Sequence, residues 1–363
     1  MKLQVTQENL SRALHNVARV ASTRNALPIL SNVLIKTVDN RVCIAATNLD
    51  IAITHYIGSK VSQEGSITVP ARLMQDFVAS LPDGVININV NETKLHIKSE
   101  QYNSTINGTL ADDYPVMPQI KNGTSWNIPA LDLKKALQQV VLAASNDDAR
   151  PILTGVYFHT HKGDLFIAAT DSYRLAEKKI MGLNQEVKLL VPASAMQDLL
   201  RILGDQAEEV KITHDDQQVL FTIGDIELVA RLIDGNYPDY RKLIPGSFST
   251  SATLPKSELV NITKVSSLFA RESAGSVTLN LDEEEKQISI RSIASQLGEN
   301  TAVAAADVSG TASITLNSRY LLDALGAVND SEVCIGFNGK LEPCVIKGTE
   351  DKNYLHLIMP LKS

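Results

Sequence analysis

Within this 363-residue chain, His159-x-His161 is the pair best spaced to do chemistry. Two residues apart on a strand, both imidazoles would point to one face, the geometry of a metal pair. No Cys, Asp or Glu constellation stands beside them in sequence, so no metal is expected. The acidic runs Asp112-Asp113, Asp147-Asp148 and Asp282-Glu283-Glu284-Glu285 have the character of turn and cap residues. The last reads as a hydrated turn between two strands. There is no GxxxxGK[ST] loop to cradle phosphates and no GxGxxG following a strand. No nucleophile, base and orienting group can be assembled. Catalysis is therefore not expected, and neither is a cofactor.

The basic residues are more informative. The first predicted helix carries Arg12 and Arg19, and Arg24 follows it. Later helical segments carry Arg72, Lys134 with Lys135, and Arg201. Lys256, Lys264, Arg271 and Arg319 continue the pattern. The chain as a whole is acidic, with a formal charge of −7, which taken alone disfavours non-specific attraction to nucleic acid. The plain reading is a set of solvated helix faces. The sharper reading is a basic, helix-lined surface turned toward a phosphate backbone.

The elements that carry these residues recur. Pro28-Ile29-Leu30 returns as Pro151-Ile152-Leu153, and Ile44-Ala45-Ala46-Thr47 as Ile167-Ala168-Ala169-Thr170. Leu10-x-x-Ala13-Leu14 returns as Leu133-x-x-Ala136-Leu137, and Tyr114-Pro115 as Tyr237-Pro238. Each match is 123 residues on. Val69-Pro70-Ala71 returns as Val191-Pro192-Ala193, one residue out of step. Such a period is the size of a whole domain, too long for a solenoid unit. A fainter third copy aligns Leu254-Pro255 and Leu259 with Ile128-Pro129 and Leu133. Turn-rich stretches at Lys121–Ser125 and Pro245–Ser251 suggest three domains, 1–124, 125–248 and 249–363. Equivalent helices of equivalent domains point the same way, which favours the basic-surface reading.

Each copy opens on a short strand such as Leu3–Val5, followed by an amphipathic helix over Gln7–Val20. Leu10, Leu14 and Val17 share its apolar face, and Thr6 is its expected N-cap. Alternating strands follow, over Val33–Thr37, Val42–Ala46 and Ile51–Thr54. Tight turns at Asp39-Asn40 and Lys162-Gly163-Asp164 imply hairpins. A second helix runs over Ala71–Leu81, with Leu73, Phe77, Val78 and Leu81 as its apolar positions, and Pro82-Asp83-Gly84 stops it. The order β-α-β-β-β, twice per copy, implies antiparallel sheets with two helices on one side, an α+β domain.

No signal peptide or membrane-spanning run is visible. Cys43, Cys334 and Cys344 read as reduced core or near-core residues. A cytoplasmic protein with no membrane association is expected. Three glycosylation-like triplets, at Asn91, Asn107 and Asn122, are then coincidental.

Thr170-Asp171-Ser172-Tyr173-Arg174-Leu175-Ala176 resembles the TD[GS]HRLA signature of the bacterial sliding clamps, the beta subunits of DNA polymerase III, with Tyr173 where His is usual. Similar blocks are Leu27–Leu30, Val69–Arg72, Asp234–Arg241 and the end Met359-Pro360-Leu361, so the resemblance runs the length of the chain. It implies a DNA-clamp fold assembled as a ring-shaped homodimer of six domains that encircles duplex DNA. It also implies tethering of the replicative DNA polymerase, the clamp loader and repair proteins through short linear motifs. Effective concentration at the primer end would then rise without any catalysis. Arg12, Arg19, Arg24, Arg72, Lys134, Lys135, Arg150 and Arg201 become the DNA-facing set.

The resemblance places a partner-peptide cleft between the second and third domains. The second contributes Leu153, Thr170, Ser172, Tyr173, Arg174 and Leu175, then Pro238, Lys242 and Leu243. The third contributes Asn317, Tyr320, Leu341 and Pro343, then Ile358, Met359, Pro360 and Leu361. Leu268 and Phe269 are the expected dimer anchors, facing the region of Ile106 in the next copy. The alternative is a monomeric, non-catalytic DNA-binding protein using the same basic helices. Sheet-borne stacking would serve that reading, but aromatics make up only 5% of the chain.

Overall fold

The computed structural model describes residues 1–21, 27–204, 207–296 and 298–362. Six α-helices lie among them: α1 Gln7–Val17, α2 Ala71–Ala79, α3 Ala130–Val140, α4 Ala193–Ile202, α5 Lys256–Phe269 and α6 Ser318–Ala327. The strands between them pair antiparallel. Asn32–Val38 and Arg41–Thr47 are joined through Asp39 and Asn40, both at positive φ. Gly155–His161 and Asp164–Thr170 are joined in the same way through Lys162 and Gly163. Two consecutive left-handed residues give the turn whose twist matches that of the flanking strands.

Repetition shows in the cores. Leu10, Ala13, Leu14 and Val17 are buried on α1, and Leu133, Ala136, Leu137 and Val140 are buried on α3. Both sets follow the spacing of one helix face. The Thr6 hydroxyl accepts the Asn9 N–H at 3.4 Å, so the expected cap is present, but α1 ends at Val17 rather than Val20. On α2 the buried residues are Ala71, Met74 and Val78, while Leu73 is 53% exposed. Leu73 is one residue, about 100° of helix rotation, away from that face.

The chain divides into two compact units, Met1–Leu131 with Ser194–Leu232, and Asp132–Ala193 with Ile233–Ser363. Each contains a sheet that crosses a repeat boundary. In the first unit, strand Ile51–Gly58 pairs with Ile226–Arg231 and so extends one sheet to eight strands. In the second, Arg174–Gly182 pairs with Tyr354–Ile358 and extends another to nine. Each unit also holds a smaller sheet. The five-stranded one ends on Asn103–Asn107 and the four-stranded one on Gly298–Ala305. In the first unit α1 packs on α2 and on strands Arg41–Thr47 and Ile51–Gly58. In the second, α5 packs on α6 and on strands Gln287–Ala294 and Gly298–Ala305.

Candidate functional site

The Thr170–Leu175 signature is a hairpin loop of the second unit, shaped by its own side chains. Asp171 Oδ1 accepts the N–H groups of Tyr173 and Arg174, both at 2.9 Å. The Thr170 hydroxyl donates to the Arg174 carbonyl at 2.6 Å and accepts the Ser172 N–H at 3.2 Å. Ser172 takes a positive φ of 79° at the tip. These local bonds replace ladder bonds that the reversal removes.

Arg174 fixes this loop to α6. Its Nε lies 3.1 Å from Asp171 Oδ2 and its Nη1 2.5 Å from Asp323 Oδ2. Its guanidinium also sits 4.5 Å from the Tyr320 ring centre. Such a planar cation can hold two carboxylates and stack on a ring at once. The C-terminal segment closes the other side. Met359 N–H donates to the Tyr173 carbonyl and Leu361 N–H to the Thr315 carbonyl, each at 2.8 Å.

The expected cleft residues differ in exposure. Tyr173 is 56% and Leu341 67% exposed, and Leu243 is similarly open. Ser172, Pro238 and Lys242 are exposed, with Lys242 ion-paired to Asp239 at 2.8 Å. Thr170, Arg174, Pro343, Met359, Pro360 and Leu361 are half-buried. Leu175 is only 1% exposed; Ile358 and Leu153 are buried as well. These three lie in the core, where their strands or turns place them. A cavity of about 340 Å³ brings Lys242 and Leu243 together with Pro343. A second, of about 630 Å³, holds Asn317 and Tyr320. Asn317 also has a structural duty, since its side chain accepts the Arg319 and Tyr320 N–H groups at the start of α6.

A buried polar group under this surface was not legible in the sequence. The Tyr240 hydroxyl donates to Glu177, and His159 Nε2 lies 2.6 Å from the same oxygen. One hydroxyl proton cannot serve both partners, so Nε2–H of a neutral His159 donates to Tyr240. Arg241 pairs with Glu177 at 2.8 Å and stacks 4.2 Å from the Phe166 ring centre. Burial, helped by the Arg241 charge, lowers the His159 pKa to about 4. Burial raises the Glu177 carboxyl against the pull of Tyr240 and Arg241. His159 is thus a core hydrogen-bonding residue, not half of a metal pair. The acidic run reads as expected: Asp282 Oδ1 accepts the Glu284 and Glu285 N–H groups in the turn between Ser276–Asp282 and Gln287–Ala294.

Of the basic set, Arg12, Arg19, Arg72 and Lys135 are exposed and Lys134 is half-buried. Arg72 is 4.0 Å from Asp76, and Arg201 pairs with Asp198. Arg24 lies outside the described residues. Arg150 is placed differently from the helical cations: it pairs with Asp147 at 3.0 Å and donates to Ser172 Oγ at 3.3 Å. It therefore stands at the Thr170–Leu175 loop. Leu268 is 52% exposed and Phe269 half-buried at the end of α5. Ile106 is 6% exposed because it alternates into the core of its own sheet. What strand Asn103–Asn107 presents outward is its backbone edge, not the Ile106 side chain.

Models of the DNA polymerase III beta subunit match along the chain: the N-terminal domain over residues 1–118, the central domain over 127–239 and the C-terminal domain over 241–362. The beta sliding clamp of Bacillus subtilis is 31% identical with all of both chains covered, and that of Staphylococcus aureus 28%. Among solved structures, the Bacillus subtilis DNA polymerase sliding clamp superposes with a TM-score of 0.94 at 30% identity, covering 100% of this chain and 99% of that one. A Pseudomonas aeruginosa sliding clamp bound to griselimycin gives 0.94 at 25% identity, with 100% of both chains covered. The three-domain sliding-clamp fold and the full-length match together establish that the chain belongs to the DNA polymerase III beta subunit family, the bacterial beta sliding clamps.

Proposed function

We propose that two copies of this chain close head to tail into a ring of six similar domains, 1–124, 125–248 and 249–363 in each. The ring encircles duplex DNA, slides on it, and tethers the replicative polymerase, the clamp loader and repair proteins in the cytoplasm. It performs no chemistry itself.

One observation carries this reading. At each internal repeat junction, the third strand after a copy's first helix pairs with the last strand of the next copy. Ile51–Gly58 meets Ile226–Arg231, and Arg174–Gly182 meets Tyr354–Ile358. By the same rule Gly298–Ala305 of the third copy seeks the counterpart of Asn103–Asn107, and both are sheet edges within the chain. Open edges invite another chain, and a head-to-tail arrangement closes when the rotation permits. Helix α5, which carries Leu268 and Phe269 at its end, packs on the Gly298–Ala305 edge strand. A net charge of −7 with exposed Arg12, Arg19 and Arg72 suits sliding better than tight binding.

The partner cleft in this reading lies at the Thr170–Leu175 loop, with Tyr173, Leu243 and Leu341 offering apolar contact. A short linear peptide there should bind near micromolar, roughly −8 kcal/mol. The decisive experiment is topological. Protein loaded on a nicked DNA circle should stay bound in high salt and leave when the circle is linearised. Tight, salt-resistant binding to a short linear duplex would instead favour the monomeric DNA-binding reading.

A further inference from the structure

The two repeat junctions share one sheet register but are filled differently. In the first unit Lys36 faces Cys43, Cys43 faces Tyr56, Thr54 faces Glu227 and Ala52 faces Val229. In the second unit the equivalent pairs are His159 with Phe166, Phe166 with Lys179, Glu177 with Leu355 and Leu175 with Leu357. The segment after each Tyr-Pro covers this surface. In the second unit Tyr240 and Arg241 fill the space, with the ring in the apolar cluster of Leu175 and Leu357 and both polar ends on Glu177. Their counterparts in the first unit, three and four residues after Tyr114, are Met117 and Pro118. Neither side chain has a donor.

The sheet beneath is also smaller there, with Cys43 for Phe166, Ala52 for Leu175 and Thr54 for Glu177. A cavity of about 530 Å³ results, walled by Leu34, Cys43, Ala52, Val229 and Met117, with Lys36, Asp112 and Glu227 as its charged lining. An acidic group persists one strand over, since Glu227 stands where the second unit has Leu355. The Glu227 side chain is half-buried at the cavity wall and has no hydrogen-bond or ion-pair partner among the described residues.

We propose that this cavity is a second docking site, distinct from the partner cleft, that takes an aromatic side chain followed by arginine from a partner protein. The ring occupies the space that Tyr240 fills in the second unit, against Ala52, Val229 and Met117. The guanidinium meets Glu227, as Arg241 meets Glu177. Charge and shape both follow from what the chain itself supplies at the equivalent position.

The probe is the capped dipeptide acetyl-Tyr-Arg-amide, titrated into methyl-labelled full-length protein by NMR. Saturable shifts are expected at the Met117, Leu34 and Val229 methyls, with a dissociation constant on the order of 1 mM. Acetyl-Tyr-Gln-amide, and the Arg dipeptide on Glu227→Gln, should each bind about fivefold more weakly. Ala52→Leu, which rebuilds the wall of the second unit, should abolish the shifts. Absence of shifts at these methyls overturns the site. Equal affinity in Glu227→Gln overturns the pairing, leaving a cavity that any small molecule could occupy. Ring closure and the partner cleft involve other residues, so failure here leaves the clamp reading untouched, and failure of that reading leaves this one.

Discussion

Replacing Asp171 by Ala tests whether the Thr170–Leu175 loop is held by its own side chains. The carboxylate is only 13% exposed and accepts three bonds, at 2.9 Å from Tyr173 N–H, 2.9 Å from Arg174 N–H and 3.1 Å from Arg174 Nε. Hydrogen bonds to a charged group contribute about 1.5–3 kcal/mol each. The three are not additive, because Arg174 keeps Asp323 and water can reach the loop tip. A loss of about 3 kcal/mol in local stability is the reasonable sum, or roughly a 100-fold rise in the open population. The readout is amide hydrogen exchange at Met359, whose N–H donates to the Tyr173 carbonyl of this loop. It reports local opening and needs no two-state unfolding. Leu361 donates to Thr315, outside the loop, and serves as the internal control. Asp171→Asn keeps one acceptor oxygen and should show about a tenfold rise. A change of less than about threefold at Met359 in Asp171→Ala, or an equal change at Leu361, would refute the argument that Asp171 organises the loop.

Other expectations concern the interface, the DNA, the cleft and pH. Changing both Leu268 and Phe269 to Ala should give monomers by light scattering at micromolar protein, because an apolar anchor contributes on the order of 2 kcal/mol or more; a persistent tight dimer contradicts the assignment. Changing Arg12, Arg19 and Arg72 to Ala should weaken binding to short duplex and flatten its salt dependence by roughly one unit for each phosphate that is no longer neutralised, while dimer mass stays unchanged. Deleting residues 359–363 removes the bonds from Met359 and Leu361; the protein should remain dimeric and lose peptide binding, and undiminished affinity would put the cleft elsewhere. His356 is fully buried and its pKa is lowered to about 3, first by burial and then by the Arg174 charge. The unfolded chain takes up that proton near pH 6.5 and the folded chain does not, so this stability is present above pH 6.5 and is lost as pH falls. About 2 kcal/mol should disappear between pH 7 and pH 5, and His356→Gln should remove that share of the pH slope in urea midpoints.

Local and repeated features were legible in the sequence because each is decided by a few neighbouring residues. Thr6 caps α1, Asp39-Asn40 and Lys162-Gly163 turn their hairpins, and the four buried positions of α1 recur on α3. The resemblance also placed the Thr170–Leu175 signature, whose hydrogen bonds lie within five residues of one another. What the tertiary structure alone decided depends on partners distant in sequence. Arg174 meets Ile358 across a sheet, and Ile51 meets Ala230, although no local pattern says which edges join. His159 was spaced for a metal pair that its surroundings in sequence did not support, and its actual partner, Tyr240, is brought to Nε2 by the segment after Tyr237-Pro238. Arg150 looked like one more basic residue until a loop closed it onto Ser172. Ile106 marked the region facing the expected anchors, and strand alternation turns its own side chain into the core of its sheet. A side chain's type and spacing state what it can do; whether it is covered, paired or open depends on which distant strand arrives beside it.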